Sequence, residues 1–200
     1  MKIGILALQG AFIEHKHMLD RLKVESFEIR QYADLEKEMD GIILPGGEST
    51  VMLKLLHDLR MYYPLRNLIL SGLPVFGTCA GLILLAKTVN NDDRTFLNVM
   101  DITVKRNAFG RQLGSFRQMG TFNNLELELV FIRAPYIESV SEETEVLTSF
   151  DGMILAAREN NMLATAFHPE LSNSTLVHEY FIQMVLRHKN KSHFRVTSNC

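Results

Sequence analysis

The sequence predicts a single α/β domain built as a three-layer sandwich, in which helices cover both faces of a mostly parallel sheet and antiparallel strands are added later in the chain. A strand-length apolar run, a glycine turn and a segment with helical spacing recur three times in the first half, as in parallel sheets covered by helices. The second half carries short strand candidates separated by turn residues, which indicates antiparallel hairpins. The chain has 200 residues, 46% of them hydrophobic, which suffices for one core.

The first half supplies the parallel part of the expected sheet. Apolar runs or alternating patterns predict strands over residues 2–8, 24–30, 41–44 and 73–76. Apolar residues at helical spacing, such as Phe12, Leu19 and Leu22, predict helices over residues 11–22, 34–39, 48–59, 63–70 and 82–86. Binding sites in such sheets form at the carboxyl ends of strands, where Gln9-Gly10, Gly46-Gly47 and Cys79 fall.

The second half supplies the antiparallel part and the end of the domain. Strands are expected over residues 101–104, 115–121, 127–132, 146–148, 153–157 and 162–167, with a loop over 105–114. An amphipathic pattern predicts a last helix over residues 174–187. We therefore expect the domain to span residues 1–188. Residues 189–200 form a basic, polar tail with little to bury, and we expect it to be mobile.

Composition excludes several classes of function. A net charge of −2 gives no broad attraction to nucleic acid, and no apolar run approaches the length of a membrane span. The strand pattern starts at the N-terminus without a separate signal segment. The two cysteines, Cys79 and Cys200, do not indicate a disulfide framework, so the reducing cytoplasm is the expected location. His15 and His17 face different sides of a helix, and no set of residues has metal-ligand spacing, so neither a metal nor a cofactor is expected.

Cys79 lies where a buried strand meets a helix, and Gly77 and Gly81 flank it two residues away on each side. This is the spacing of a nucleophile elbow with sulfur in place of oxygen. The helix N-terminus favours a thiolate, and its backbone N–H groups can stabilise an oxyanion. A buried, inert cysteine is the alternative interpretation of this residue alone.

His168 and Glu170 follow the last predicted strand, with Pro169 between them. Proline pushes the preceding residue toward an extended conformation, in which residues two apart face the same side. A carboxylate beside an imidazole orients it as a base, and a thiol nucleophile needs such a base. A surface histidine and a solvated glutamate are the alternative, but together with the elbow cysteine a catalytic triad is favoured.

Six stretches resemble the class I, or triad, glutamine amidotransferases, and within them the glutaminase subunits of pyridoxal phosphate synthase. They are Leu8-Gln9-Gly10, Pro45-Gly46-Gly47-Glu48-Ser49-Thr50, Phe76-Gly77-Thr78-Cys79-Ala80-Gly81, Arg106-Asn107-Ala108-Phe109-Gly110-Arg111-Gln112, Phe131-Ile132-Arg133-Ala134-Pro135 and Phe167-His168-Pro169-Glu170-Leu171. The elbow and His-Pro-Glu mark the wide class, and the second, fourth and fifth stretches point to the subfamily. The resemblance implies the flavodoxin-like fold of that class.

The resemblance also implies roles for single residues. Cys79 attacks the side-chain amide of glutamine to form a glutamyl thioester, His168 transfers protons, and Glu170 orients His168. The implied oxyanion hole consists of backbone at Gly46, Gly47 and Ala80. The residues implied to hold glutamine are Gly47, Glu48, Ser49, Arg106, Ile132 and Arg133. Without the resemblance, Gly46-Gly47 is a plain turn, and the two arginines are solvated or structurally paired.

The resemblance implies that the chain hydrolyses L-glutamine to L-glutamate and ammonia. The ammonia would pass to a separate (β/α)-barrel synthase subunit of a hetero-oligomeric complex, which combines it with a pentose phosphate and a triose phosphate to make pyridoxal 5′-phosphate for vitamin B6 biosynthesis. Three alternatives stay open: a glutaminase serving another synthase, a non-catalytic partner protein with the same fold, and a cysteine hydrolase of similar architecture.

Overall fold

The structure is a computed structural model that describes residues 1–106 and 114–197, and it confirms the α/β fold with a mostly parallel central sheet. The strands are β1 (Lys2–Leu6), β2 (Glu25–Ile29), β3 (Gly41–Leu44), β4 (Val75–Thr78), β5 (Ala86–Asn90), β6 (Met100–Lys105), β7 (Ser115–Phe122), β8 (Leu125–Ile132), β9 (Tyr136–Val140), β10 (Glu145–Phe150), β11 (Met153–Glu159) and β12 (Met162–Thr165). The helices are α1 (Phe12–Arg21), α2 (Tyr32–Leu35), α3 (Ser49–Asp58), α4 (Tyr62–Leu70), α5 (Ala80–Leu85) and α6 (Leu176–Thr197), with a 3₁₀ turn at Pro169–Leu171.

The large sheet has the strand order β2-β1-β3-β4-β12-β11-β9-β6-β5, with β10 added beside β11. The strands from β2 to β12 in this order pair in parallel, and β12, β11, β9 and β6 pair antiparallel. Strands β7 and β8 form a separate antiparallel hairpin. The parallel half brings the carboxyl ends of β3, β4 and β12 to one edge of the sheet.

Each face of the sheet has its own hydrophobic core, because side chains along a strand alternate between the two sides. On β3, Ile42 and Leu44 join a core that also includes Met52 of α3 and Leu65 of α4. Residue Ile43 between them joins the opposite core, which includes buried residues of α1, α6 and the β7–β8 hairpin. The helices therefore lie on both sides of the sheet, as the sequence predicts.

Two strands and the bounds of three helices differ from the sequence-based expectation. Helix α2 covers Tyr32–Leu35 rather than residues 34–39, and α5 ends at Leu85. Strand β5 follows α5 directly, and strand β9 lies between β6 and β11, although neither was expected. Both are five residues long, and their backbone hydrogen bonds come from strands distant in sequence, which local apolar spacing does not reveal. The last helix continues to Thr197 rather than ending near residue 187, and Lys189 forms a 2.8 Å ion pair with Asp40.

Part of the predicted loop at residues 105–114 and Cys200 cannot be compared with the structure. Positions 107–113, including residues 107–112 of the Arg-Asn-x-Phe-Gly-Arg-Gln stretch, lie outside the described residues, as do 198–200. Among the described residues, no helix is both long and apolar enough to cross a bilayer.

Candidate active site

Cys79 occupies a strained turn between β4 and α5, as the elbow pattern predicts. Its backbone adopts φ 48° and ψ −97°, a conformation that non-glycine residues rarely adopt. Its N–H donates to the carbonyl oxygen of Thr165 on β12 at 2.8 Å, which fixes the turn against the neighbouring strand. A Cβ on Gly81 would lie 2.0 Å from the carbonyl oxygen of Leu44, so the helix after the elbow can approach β3 only with glycine at this position.

His168 lies beside Cys79 because β12 pairs in parallel with β4, with Thr165 opposite Thr78. Both side chains line the same pocket, and the Cys79 sulfur is close enough to His168 to raise the pKa of the imidazole, while Sγ itself points its hydrogen to the carbonyl oxygen of Ile132 at 3.9 Å. The His168 ring is buried, and its backbone N–H donates to the carbonyl oxygen of Val130 at 2.8 Å, which ties the segment to the β7–β8 hairpin. The structure thus joins a sulfur and an imidazole from distant parts of the chain.

Glu170 contacts the other side of the imidazole, with its Oε1 2.7 Å from His168 Nδ1. The sequence predicts an extended segment here, but the structure has a 3₁₀ turn beginning at Pro169. Proline is well suited to the first position of a helical turn, since it lacks an N–H and its φ is already helical. The turn brings the Glu170 carboxylate against the ring, and the side chain of Glu170 is completely buried.

The neighbours of His168 favour its protonated form. Burial lowers the pKa of His168, but Cys79 and Glu170, which act on the imidazolium as acceptors and as negative charges, outweigh burial and raise it from 6.5 to about 10. The imidazole therefore holds a proton at neutral pH next to the sulfur. Such a pair can supply a thiolate nucleophile and later protonate a leaving amine.

A pocket of about 460 Å³ opens in front of Cys79 and His168, large enough for a small-molecule substrate. It contains most of the residues that the sequence singles out, namely Gly46, Gly47, Glu48, Ser49, Cys79, Arg106, Ile132, Arg133 and His168. Glu170 and Ala80 do not line it: Glu170 lies behind the imidazole, and Ala80 is buried at the first turn of α5.

The wall of the pocket beside His168 is backbone at Gly46. A Cβ at this position would lie 2.3 Å from His168 Cε1, so only glycine lets the ring occupy its place. The carbonyl oxygen of Gly46 accepts a hydrogen bond from the N–H of Ala11 at 2.9 Å. Oε1 of Gln9 accepts one from the N–H of Glu48 at 2.8 Å. These bonds hold the loop after β3 against the loop after β1.

Charged side chains also line the pocket. Arg106 donates from Nη1 to Asp92 at 2.8 Å and lies 3.4 Å through Nη2 from Glu48 Oε1. Hydrogen bonds from Arg94, and to a lesser extent from Arg106, lower the pKa of Asp92, so this carboxylate stays charged. Arg106 is thus structurally paired and also faces the pocket.

Two residues near the site were not assigned a role from the sequence. Gln9 braces the Gly46–Gly47 loop, and its place at the end of the first predicted strand was the available signal. His15 is completely buried on α1, and its Nε2 lies 3.5 Å from Glu170 Oε2. It falls three residues after Phe12 and four before Leu19, on the apolar side of the predicted helix, which could have indicated its burial.

In the described ranges, no three His, Cys, Asp or Glu side chains converge as a metal ion requires.

Comparisons with known proteins agree with this geometry. The sequence profile of the SNO glutamine amidotransferase family matches residues 5–187. A protein of Methanocorpusculum labreanum named pyridoxal 5′-phosphate synthase subunit PdxT is 56% identical over 92% of this chain and 98% of its own length. A protein of Streptococcus pneumoniae with the same name is 54% identical over 92% of this chain and 97% of its own length.

Solved structures give the same fold. A crystal structure described as a glutamine amidotransferase matches with a TM-score of 0.85 at 38% identity, covering 92% of this chain and 98% of that one. A crystal structure from Thermoplasma acidophilum, described as a candidate component of GMP synthase, matches with a TM-score of 0.69 at 16% identity, covering 96% and 98% of the two chains. The second likeness bears on the fold alone.

Proposed function

Because the chain belongs to the SNO glutamine amidotransferase family, we infer that it is the glutaminase subunit of a pyridoxal 5′-phosphate synthase, as its relatives are named. In this role it hydrolyses L-glutamine to L-glutamate and ammonia, which the synthase subunit uses in vitamin B6 biosynthesis. The observation that supports the reaction is that Cys79 and His168 line one pocket of small-molecule size, with Glu170 2.7 Å from His168 Nδ1 on the far side of the ring.

The proposed reaction starts from the Cys79 thiolate and protonated His168. The thiolate attacks the side-chain amide carbon of glutamine, and His168 donates a proton to the leaving nitrogen, so that ammonia departs and a glutamyl thioester remains. His168, now neutral, takes a proton from water, which attacks the thioester and releases glutamate. Glu170 holds Nδ1 of the imidazole throughout, so that Nε2 is the nitrogen that exchanges protons.

We propose that backbone N–H groups at Gly46, Gly47 and Ala80 stabilise the oxyanion of each tetrahedral intermediate. The carbonyl oxygen of Gly46 is bonded to Ala11, and the N–H of Gly47 lies on the opposite side of the same trans peptide. Ala80 is the first residue of α5 and contributes an N–H from a helix start. Backbone donors from two loops can thus converge on one oxygen next to the sulfur.

Glutamine carries an α-carboxylate and an α-ammonium group, so its pocket needs both donors and acceptors away from the nucleophile. We propose that these come from Gly47, Glu48, Ser49, Arg106, Ile132 and Arg133. Glu48 supplies a carboxylate for the ammonium group, and the arginines supply cations for the carboxylate. The hydroxyl of Ser49 is buried and has no hydrogen-bond partner within the part of the chain that the structure describes, which supports a role for it in holding substrate.

The synthase subunit is proposed to be a separate (β/α)-barrel protein that docks over this pocket in a hetero-oligomeric complex. Ammonia is largely protonated in neutral water and is then a poor nucleophile, so direct transfer between the subunits favours its use. The glutaminase domain is proposed to span residues 1–188, with the end of α6 continuing beyond it, and to work in the cytoplasm.

The test is a comparison of Cys79→Ala with Cys200→Ala, since these are the two cysteines of the chain. Each full-length protein is mixed with the synthase subunit, and glutamate, ammonia and pyridoxal 5′-phosphate are measured. We expect Cys79→Ala to release no ammonia from glutamine, and Cys200→Ala to match the wild type. Equal ammonia release by both variants would contradict the proposed reaction, and a wild type that binds the synthase without turnover would identify a non-catalytic partner.

A further inference from the structure

A row of buried polar side chains extends behind Glu170, away from the pocket. His15 Nε2 lies 3.5 Å from Glu170 Oε2 and 3.2 Å from Thr78 Oγ1. His15 Nδ1 shares a 2.9 Å hydrogen bond with His178 Nε2. Both histidines, Thr78 and the side chain of Glu170 have no solvent exposure. The row therefore connects helix α6, through α1, to the carboxylate that orients His168.

The row contains one ambiguity, which is the position of the proton on His15. If Nε2 carries it, an N–H faces the buried carboxylate, and His15 Nδ1 accepts from His178. If Nδ1 carries it, the Nε2 lone pair of His15 can accept from the Thr78 hydroxyl but also faces Glu170 Oε2, and His178 must hold its own proton on Nδ1. Within the described residues, Glu170 Oε2 and His178 Nδ1 have no partner at hydrogen-bond geometry, and the hydrogen bond of His15 Nε2 is the 3.2 Å one to Thr78 Oγ1.

Buried orphan N–H groups are rarer in proteins than orphan acceptors, and a lone pair beside a buried anion is repulsive. Both arguments favour the first arrangement. The imidazoles are also neutral: burial lowers the pKa of His178 to about 3, and burial, with the nearby His178 and His168, lowers the pKa of His15 well below its usual value. A neutral His15 can offer Glu170 a proton only from Nε2.

We propose that His15 is a positioning residue of the glutaminase reaction, whose Nε2–H holds Oε2 of Glu170 so that Oε1 stays on His168. This inference rests on the proposed function. At 3.5 Å the contact is longer than a good hydrogen bond, so its attraction is largely that of an N–H dipole for an anion in a site without water. His178 donates to Nδ1 of His15 and thereby selects the tautomer.

The surrounding core holds the two rings in this orientation. The edge of Phe76 packs against His15 at a centroid distance of 5.9 Å and against His178 at 5.6 Å, both nearly perpendicular. Phe76 belongs to β4, three residues before Cys79. Strand β4, which leads to Cys79, therefore also holds the rings of His15 and His178. These rings in turn position the Glu170 carboxylate.

The first test compares two substitutions that each preserve one end of the imidazole. The amide of Asn occupies roughly the place of Nδ1 and keeps the bond to His178, whereas the amide of Gln reaches the place of Nε2 and can still donate to Glu170. Outer partners of metal ligands, which act on a functional group through a similar contact, typically contribute about 10- to 100-fold to affinity or activity. With the synthase subunit present, we expect H15N to lower kcat by about tenfold or more with little change in KM, and H15Q to recover most of the loss.

The matched control is His17→Asn, the same change on the exposed side of the same helix, which we expect to leave both constants unchanged. Wild-type kcat in H15N, or equal impairment of H15N and H15Q, would overturn the proposal. A wild type without glutaminase activity would instead contradict the proposed function.

The second test uses the wild-type protein, so it depends neither on the folding of a variant nor on a measurement of activity. In the full-length wild type labelled with ¹⁵N-histidine, the nitrogen and proton shifts of a buried neutral ring report which nitrogen is protonated. We expect His15 to carry its proton on Nε2 and His178 to carry its proton on Nε2 as well. A proton on Nδ1 of His15 would overturn the proposal whatever the kinetics.

Discussion

Replacing Glu170 by Gln isolates the effect of one buried negative charge. The amide oxygen of Gln can still accept from His168 Nδ1 across the 2.7 Å contact, so the hydrogen bond is kept while the charge is lost. The pKa of His168 is raised from 6.5 to about 10 by Cys79 and Glu170 together, against the lowering effect of burial. A rise of this size corresponds to about 5 kcal/mol, at about 1.4 kcal/mol per pH unit. Since two partners share it, we expect the substitution to remove about 2–3 kcal/mol from the stabilisation of the imidazolium.

In the proposed hydrolysis of the thioester, where neutral His168 becomes protonated, this loss lowers the rate, and with it kcat, by roughly 30- to 150-fold. KM for glutamine should change little, because Glu170 does not line the pocket. The assay is ammonia release in the presence of the synthase subunit, with the pKa of His168 followed by NMR. Glu142→Gln, the same change at an exposed position, is the control and should behave as wild type. A Glu170→Gln protein with wild-type kcat and an unchanged His168 pKa would refute the reasoning.

Three further predictions follow from other parts of the structure. Gly46→Ala places a Cβ 2.3 Å from the ring of His168, so we expect the imidazole to move off the sulfur and kcat for ammonia release to fall at least about tenfold. Gly114→Ala, whose Cβ would meet no atom of the described residues within 4 Å, should retain wild-type kcat, and equal rates for the two variants would contradict the argument. Because burial lowers the pKa of His178 from 6.5 to about 3, the unfolded chain binds a proton that the folded chain excludes. This proton alone should therefore lower the free energy of unfolding by about 1.4 kcal/mol per pH unit as the pH drops below about 6.5. Urea titrations should show this slope reduced in His178→Leu, and an identical slope in both proteins would be the contrary result. Arg106→Met removes a cation from the pocket and should raise KM for glutamine by about tenfold while kcat falls less, as initial rates would show; an unchanged KM would remove this residue from the proposed glutamine site.

Local sequence patterns were sufficient for the elements whose stability depends on local spacing. The expected strand over residues 41–44 matches β3, because a continuous apolar run bounded by glycines and a proline reads as a fully buried strand. The helix after the elbow was less well predicted: it covers Ala80–Leu85, and Ala86 already belongs to β5. The apolar run does not show where α5 ends and β5 begins, because β5 is stabilised by pairing with β6, which lies later in the chain.

The two halves of the candidate site were likewise visible in the sequence, each as a local motif. The glycines around Cys79 predict a sharp turn, and the spacing of His168 and Glu170 predicts that they are neighbours. The predicted conformation of the segment from His168 to Glu170 was nevertheless wrong. A 3₁₀ turn, and not an extended segment, brings the carboxylate to the ring. Short polar segments depend on the surrounding structure more than on their own propensity.

The sequence by itself determined which reactive groups the chain has. They are a cysteine in a strained turn, an imidazole with a carboxylate two residues away, and glycine-containing loops at the ends of parallel strands. Only the tertiary structure decided that these meet, because the pairing of β12 with β4 joins segments far apart in the chain. It also decided that His15 and His178 lie behind the carboxylate and not in solvent. The physical reason is that a strained turn depends on a few neighbouring residues, and hydrogen-bond capacity depends on the residue type. Burial, the position of a proton and the pKa depend instead on neighbours that only the folded chain brings together.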